Sequence, residues 1–146
     1  ENRNRRKEQF QIDLDTSDLP YILDLEQGSE IWEDIGGQCL TCGSCSMVCP
    51  TCYCFNIYDK ENLDGESGER IREWDSCLFK NYTRVAGGET FRSGRADRVK
   101  NRYLHKQSHF VDEYGKPSCV GCGRCIDACP AGINVVEVFQ RIRGIA

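Results

Sequence analysis

The sequence predicts an α+β fold, in which short helices and one β-hairpin surround two cysteine-rich loops. A motif of four cysteines followed by proline occurs at residues 39–50 and again at residues 119–130. The segment between the two copies contains two alternating stretches separated by turn residues, which is typical of a hairpin. Helical periodicity with stop signals follows the hairpin and also ends the chain.

The composition indicates one small domain that depends on a bound group. The chain has 146 residues, of which 39% are hydrophobic, and its net charge is −4. Such a core is small, and metal binding is one way in which small domains are stabilised. No apolar run is long enough for a transmembrane helix, no secretory signal is present, and no nucleic-acid-binding motif is visible.

The domain organisation follows from where the motifs lie. Because the chain begins with Glu1 rather than Met, we expect it to be part of a longer subunit. Residues 1–35 are expected to be a leader that continues from, or packs on, another region. Residues 36–142 are expected to form the domain, with an insert at 55–117.

The elements before the first motif are predicted from local patterns. Alternation of apolar and polar residues predicts a short strand or extended segment at 10–19. A short helix is predicted at 29–35, with Ser29 as its N-cap and Gly36-Gly37 as its end.

The insert is predicted to contain the hairpin and most of the helices. Residues 55–59 and 69–75 form the two strands, with Gly65 and Gly68 in the turn region. The helices after the hairpin are predicted at 77–84, 95–114 and 135–142.

The cysteines form a repeat with an offset of 80 residues, in which Gly43 matches Gly123. Three thiols at CxxCxxC spacing can bind one side of a cubane [4Fe-4S] cluster, and glycine lets the loop turn tightly against it. The odd total of 11 cysteines argues against a disulfide scaffold. Three thiols in consecutive CxxC steps, followed by Cys-Pro, argue against a pair of zinc sites.

Two [4Fe-4S] clusters with crossed ligands are therefore predicted, within a ferredoxin-like dicluster fold. In proteins with two such runs, the cysteine before the proline ligates the other cluster. Cluster I is assigned to Cys39, Cys42, Cys45 and Cys129. Cluster II is assigned to Cys119, Cys122, Cys125 and Cys49.

Three further cysteines lie outside the repeat: Cys52, Cys54 and Cys77. The first two would face the same way on an extended segment, and Cys77 ends the second predicted strand. One interpretation is a third iron–sulfur or metal centre, completed by Asp75, His105 or His109. The interpretation that we favour is that the three are buried thiols that pack around the clusters.

Residues 84–106 form a basic segment, with seven basic and two acidic residues and a net charge of +5. One interpretation is a docking face for a partner subunit. The other is a solvated helix face that balances anionic clusters. The basic residues are Arg84, Arg92, Arg95, Arg98, Lys100, Arg102 and Lys106.

Several blocks beyond the cysteines carry a resemblance to a known family. CPTCYCF (49–55), GERIREWDSC (68–77), VAGGETFR (85–92) and CVGCGRCIDACPAGI (119–133) occur in this order. Over residues 30–142 the chain resembles the dicluster ferredoxin domain in the beta subunit of cytoplasmic, multi-subunit [NiFe] hydrogenases (sulfhydrogenases). The electron-transfer subunit of anaerobic sulfite reductase is similar.

The resemblance implies an electron-transfer subunit of a cytoplasmic hetero-oligomer. It would relay electrons between a flavin-containing, nicotinamide-binding subunit and a catalytic subunit, so that FAD and NAD(P) are expected only in a partner. A hydrogenase is the expected catalyst, and a sulfite reductase or another redox complex is the alternative.

Two other functions remain open from the sequence. One is a redox-sensing module that uses Cys52, Cys54 and Cys77. The other is a structural protein whose clusters only hold the fold. No residues resemble a general acid–base pair or a nucleophile with its base, so no catalytic residue is predicted.

Overall fold

Seven helices and two strands alternate with loops along the part of the chain that the computed structural model describes, which is Ile12 and residues 14–144. A π-helical segment, His105–His109, joins two of the α-helices, and 3₁₀ turns lie at Glu26–Gly28 and Lys80–Thr83. The α+β class is thus confirmed. In chain order the elements are α1 (Leu19–Leu25), α2 (Ile31–Gln38), α3 (Ser44–Met47), β1 (Phe55–Glu61), β2 (Gly68–Trp74), α4 (Arg95–Leu104), α5 (Phe110–Tyr114), α6 (Arg124–Asp127) and α7 (Val135–Ile142).

The core lies between α1, α2, α4 and α7. The Tyr103 ring is central to it, with its centroid 5.7 Å from that of Trp32 and 5.6 Å from that of Phe139. Part of the predicted leader therefore packs in the same core as the predicted domain. The buried apolar side chains of these helices are Leu19, Leu23, Trp32, Ile35, Ala96, Val99, Tyr103, Leu104, Val138, Phe139 and Ile142.

The predicted end of the second helix is wrong. Helix α2 begins after Glu30, not after Ser29, and continues through Gly36 and Gly37 to Gln38. A Cβ on Gly36 would lie only 2.7 Å from the Cα of Ala96 in α4. The glycine is therefore needed for close packing of two helices, and this requirement outweighs its preference for helix ends.

Two other predicted elements differ from the structure. No strand is present at residues 14–18, and Leu19 begins α1 because Leu19 and Leu23, four residues apart, are both fully buried. Residues 10, 11 and 13 of that predicted strand lie outside the described residues. The helix predicted at 77–84 is reduced to one 3₁₀ turn.

The hairpin and the last two helical regions are confirmed. Strands β1 and β2 pair antiparallel from Phe55↔Trp74 to Glu61↔Gly68. The region 95–114 is helical throughout, although its middle turn is π-helical, and α7 has the predicted bounds. Within the described ranges, no helix has the length and apolar character needed to cross a membrane.

Candidate functional site

The two cysteine motifs fold into the same backbone conformation. Helices α3 and α6 have four residues each, and each follows a glycine in the left-handed region, Gly43 (φ 77°) or Gly123 (φ 75°). The two helices begin with matching turns, in which Ser46 N donates to Gly43 O at 3.0 Å and Ile126 N donates to Gly123 O at 2.8 Å. Helices α3 and α6 contact each other. The internal repeat is therefore a structural repeat, with its two loops side by side.

In the first loop, one residue other than glycine also adopts the left-handed backbone conformation. Thr41 has φ 51°, and its counterpart 80 residues later, Gly121, has φ 67°. A β-branched residue in this region is strained by about 1–3 kcal/mol. The conformation lets Thr41 N donate to the Cys39 sulfur at 3.4 Å. The backbone is thus held in a form that points an N–H group at a thiol.

A first cysteine pocket lies between the first motif and the end of the second. Apolar side chains such as Leu78, Val99 and Ile133 form much of its wall. Three cysteines of the first motif enter it, together with two of the second: Cys39, Cys42, Cys45, Cys125 and Cys129.

A second cysteine pocket lies next to the first, on the other side of Cys125, Arg102 and Tyr103, which line both. Its cysteines are Cys49, Cys119, Cys122 and Cys125. Cys49 lines only this pocket and Cys129 lines only the first one. Each motif therefore sends the cysteine before its proline to the pocket that holds the other motif's thiols.

The thiols are arranged around cavities rather than around a single point. Among the described residues, no three Cys, His, Asp or Glu side chains come close enough together to hold one metal ion. Zinc would require four ligands at about 2.0–2.3 Å from one ion. All 11 cysteines are free thiols. Five thiols line the first cavity and four line the second, with Cys125 common to both. Such a lining fits a group with several metal atoms, such as a [4Fe-4S] cluster.

Two cations from one helical stretch are buried against these thiols. Arg102 is 7% exposed and lines both pockets, whereas Lys106 is 6% exposed and lines only the second. Burial is the largest single effect on Arg102 and opposes its charge, but Cys45, Tyr103 and Cys125 together outweigh it and raise the pKa of the guanidinium. Burial likewise opposes the charge on Lys106, but the Cys52 and Cys49 thiols raise its pKa above the usual value.

The cations also act on the thiols. Burial would raise the pKa of Cys49, but hydrogen bonding with Thr51 and the nearby Lys106 ammonium lower it to about 7. Burial raises the pKa of Cys52 to about 11, in spite of Lys106. Lys106 thus favours the thiolate form of Cys49, which is the form that binds metal.

The expectation that the whole basic segment forms a docking face is wrong for three of its members. Arg98, Arg102 and Lys106 are at most 7% exposed. The Arg98 guanidinium donates to the carbonyl oxygens of Leu78 (2.9 Å), Arg92 (3.0 Å) and Ser93 (2.6 Å). It therefore holds the loop before α4 in place, and the bond to Leu78 O replaces helical bonding there.

The sequence pattern pointed to Arg102 and Lys106 as basic residues but not to their role. A signal was available, because Arg98, Arg102 and Lys106 recur every four residues, each next to or near Val99 and Tyr103, which are themselves four residues apart. Thr51 and Ser118 were also missed. They hydrogen-bond to Lys106, and nothing in the spacing of the cysteines points to them.

Two of the three remaining cysteines lie against the core. Cys77 is 7% exposed, and Cys54 packs against the same core. Interaction with the Cys77 thiol lowers the pKa of Cys54 to about 6, in spite of burial, and the Tyr82 hydroxyl contributes to this lowering. Cys52 lies beside Lys106 and Cys49.

The two histidines do not join these thiols. The His105 ring packs edge-on against Tyr53, at 5.8 Å, and against Phe110, at 6.2 Å. His109 is exposed. His105 thus packs against aromatic rings, and among the described residues neither histidine belongs to a group that could hold a metal ion.

Comparison with known proteins identifies the motif-bearing region. Residues 38–133 match the family described as the 4Fe-4S dicluster domain. The chain is 40% identical to sulfhydrogenase 2 subunit beta of Pyrococcus furiosus, over 98% of this chain and 42% of that protein. No solved structure matches the chain significantly.

Two more distant relatives are subunits of other redox enzymes. The F420-dependent formate dehydrogenase subunit beta of Methanocaldococcus jannaschii is 24% identical over 78% of this chain and 22% of its own length. One subunit of the dihydromethanophenazine:CoB–CoM heterodisulfide reductase of Methanosarcina barkeri is 28% identical over 72% of this chain and 22% of its own. The chain spans less than half the length of each of these relatives.

Proposed function

Since the chain belongs to the 4Fe-4S dicluster domain family and binds two [4Fe-4S] clusters, we propose that it is the electron-relay domain of a multi-subunit oxidoreductase. The observation that supports this proposal best is that the two cysteine pockets share a wall. Cys125, Arg102 and Tyr103 line both pockets. Each cluster, when bound, accepts and donates single electrons. The shared wall keeps two such centres next to each other, which a relay requires.

The ligand sets that we propose are crossed between the motifs. Cys39, Cys42 and Cys45 hold cluster I together with Cys129, and the other four motif cysteines hold cluster II. The pocket linings support this division, because Cys129 lies with the first motif and Cys49 lies with the second. Gly43 and Gly123 give the two loops the turn that directs their thiols into the pockets.

The first test counts iron and compares two cysteines from the same loop. We expect about eight irons per chain after anaerobic purification, as two cubanes require. Cys49→Ser removes a proposed ligand and should lower the iron content and the amplitude of one reduction wave. Cys52→Ser, three residues away, should leave both unchanged. If Cys49→Ser retained the iron and both waves, the crossed ligand sets would be wrong.

Partners are proposed from the relatives. One relative is the beta subunit of a sulfhydrogenase and another is a formate dehydrogenase subunit. We propose that this chain likewise works beside a flavin-containing, nicotinamide-binding subunit and a catalytic subunit in the cytoplasm, with a [NiFe] hydrogenase preferred. Metal and chromophore analysis of the native complex tests this. Nickel with flavin is expected, whereas sirohaem without nickel would favour a sulfite reductase.

A redox-sensing centre at Cys52, Cys54 and Cys77 is the second candidate. The contact between Cys54 and Cys77 supports it, whereas the position of Cys52 beside Lys106 supports simple packing. An iron content of about ten to twelve per chain, instead of about eight, would favour a third centre. Retention of all iron in Cys54→Ala and Cys77→Ala would favour packing.

A further inference from the structure

Arg102 and Lys106 are buried cations that have no carboxylate partner in the described part of the chain. None of the three ion pairs found there involves either of them. No Asp or Glu lines either cysteine pocket among the described residues. A buried charge requires a compensating charge nearby. Within the described ranges, the anionic groups left to these two cations are the pocket thiolates and whatever group those thiolates bind.

Arg102 is placed between the two pockets. Its side chain lines both of them, and its Nε is buried without a hydrogen-bond partner. Cys45 of the first pocket and Cys125 of the shared wall are the thiols that act on its charge most strongly. Its positive charge therefore acts on both pockets, and its Nε remains available to a bound group.

Lys106 belongs to the second pocket alone, and it binds both loops that supply this pocket with thiols. Its Nζ donates to Thr51 Oγ1 at 3.0 Å and to Ser118 Oγ at 3.4 Å. Thr51 Oγ1 lies 3.3 Å from the sulfur of Cys49. Ser118 precedes Cys119, and its N–H donates to the Lys106 carbonyl at 2.8 Å. The ammonium is thus fixed at the second pocket from two sides.

We propose that Arg102 and Lys106 set the order in which the two clusters are reduced, with the cluster of the second pocket reduced first. The second pocket has two cations in its wall and the first pocket has one. An added electron makes a cluster more negative, so a nearby cation favours the reduced form and raises the potential. One electron from a reduced flavin would therefore settle in the second pocket, and a second electron would enter the first.

This proposal rests on the ligand sets proposed above, and the pattern of potential shifts tests it separately. The full subunit, purified anaerobically, is titrated with dithionite, and its reduced clusters are followed by electron paramagnetic resonance. Two one-electron waves are expected in the unsubstituted chain. Lys106→Met should lower the potential of only the higher wave, by about 59 mV, which corresponds to about tenfold in the equilibrium constant for its reduction. Arg102→Met should lower the potentials of both waves. Arg102→Lys keeps the positive charge and should therefore leave both potentials close to those of the unsubstituted chain.

The matched control is Lys100→Met. Lys100 lies in α4, directly before the π-helical segment that carries Lys106, and its substitution changes the charge by the same amount. Its Nζ donates to Gln27 O, and it lines neither pocket. Neither wave should move in this variant. A Lys106→Met shift confined to the lower wave, equal in both waves, or no larger than the Lys100→Met shift would overturn the proposal.

Iron content separates failure of this inference from failure of the proposed function. Only one wave, or about four irons, in the unsubstituted chain would count against two clusters, whatever the substitutions do. If Lys106→Met loses iron, Lys106→Gln is used instead, because an amide can still donate to Thr51 and Ser118 without the charge. An iron-replete Lys106→Gln chain with an unshifted higher wave would also overturn the proposal.

Discussion

At the scale of single residues, neighbours of the same type have opposite roles. Gly36 and Gly37 are adjacent in α2, but Gly36 is buried against α4 and Gly37 is exposed. A Cβ at Gly36 would lie 2.7 Å from backbone atoms of Ala96, whereas a Cβ at Gly37 would meet nothing within 4 Å. The sequence alone does not distinguish the two, because the difference comes from a helix about 60 residues away.

We predict opposite effects of alanine at these two positions. Gly36→Ala should lower the free energy of unfolding by about 1–3 kcal/mol, because backbone atoms of α4 must move to make room. Gly37→Ala should raise it by about 0.5–1 kcal/mol, since alanine loses less entropy in a helix. Anaerobic guanidinium unfolding of the iron-loaded chain measures both. Equal effects of the two substitutions would contradict the close contact of α2 and α4.

The basic residues of the segment 84–106 likewise differ in burial. Arg98, Arg102 and Lys106 are buried, whereas Arg84 and Arg95 are exposed. Their charge was visible in the sequence, but their burial depends on tertiary packing, such as the contact of α2 with α4. The cysteine ligand sets stay a prediction, but the three thiols of each CxxCxxC run do line one pocket together, because their arrangement is local to the motif. The crossing of the fourth cysteines followed from general knowledge of such repeats.

At the scale of elements, the hairpin stands apart from the rest of the domain. Nearly all of its side chains are exposed on both faces. Local contacts hold it, including the paired bonds of Arg70 to Asp59 at 2.8 Å and the Arg72 guanidinium 3.9 Å from the centre of the Phe55 ring. Its alternation and turn residues predicted it correctly, since a hairpin depends on nearby sequence. The helix predicted at 77–84, after the hairpin, does not form there. The Leu78 carbonyl instead accepts a hydrogen bond from Arg98, 20 residues later in the chain.

We predict that the hairpin is dispensable for the clusters, whereas its base is not. Deleting residues 57–72 and joining Asn56 to Glu73 through Asn-Gly, which favours a two-residue turn, should leave about eight irons. Ser76, at the base, is fully buried, and its Oγ lies 2.5 Å from Ser46 Oγ in α3. Ser76→Val should therefore reduce the iron content. Loss of iron in the deletion variant, measured by the same assay, would show that the hairpin supports the pockets.

At the scale of the whole molecule, the core and the cluster pockets are one structure. Tyr103 joins the aromatic contacts of the core and also lines both pockets. Helices α3 and α6 have only four residues each, which is too short for independent stability. The same stretch of helix that fills the core presents Arg102 and Lys106 to the pockets. Removing the clusters should therefore affect the core as well as the loops.

We predict that the iron-free chain loses α4 and not only the cysteine loops. Without clusters, Arg102 and Lys106 would be buried charges with neither a cluster nor a carboxylate of the described residues to compensate them, at several kcal/mol each, against a total stability of about 5–15 kcal/mol. Hydrogen exchange of the chelator-treated chain should show loss of protection in α4, and iron with sulfide should restore it. The iron-free form of the Arg102→Met/Lys106→Met double variant should keep more protection in α4 than the iron-free parent, because it buries neither cation. If both iron-free chains were equally protected there, the buried cations would not be what couples the core to the clusters.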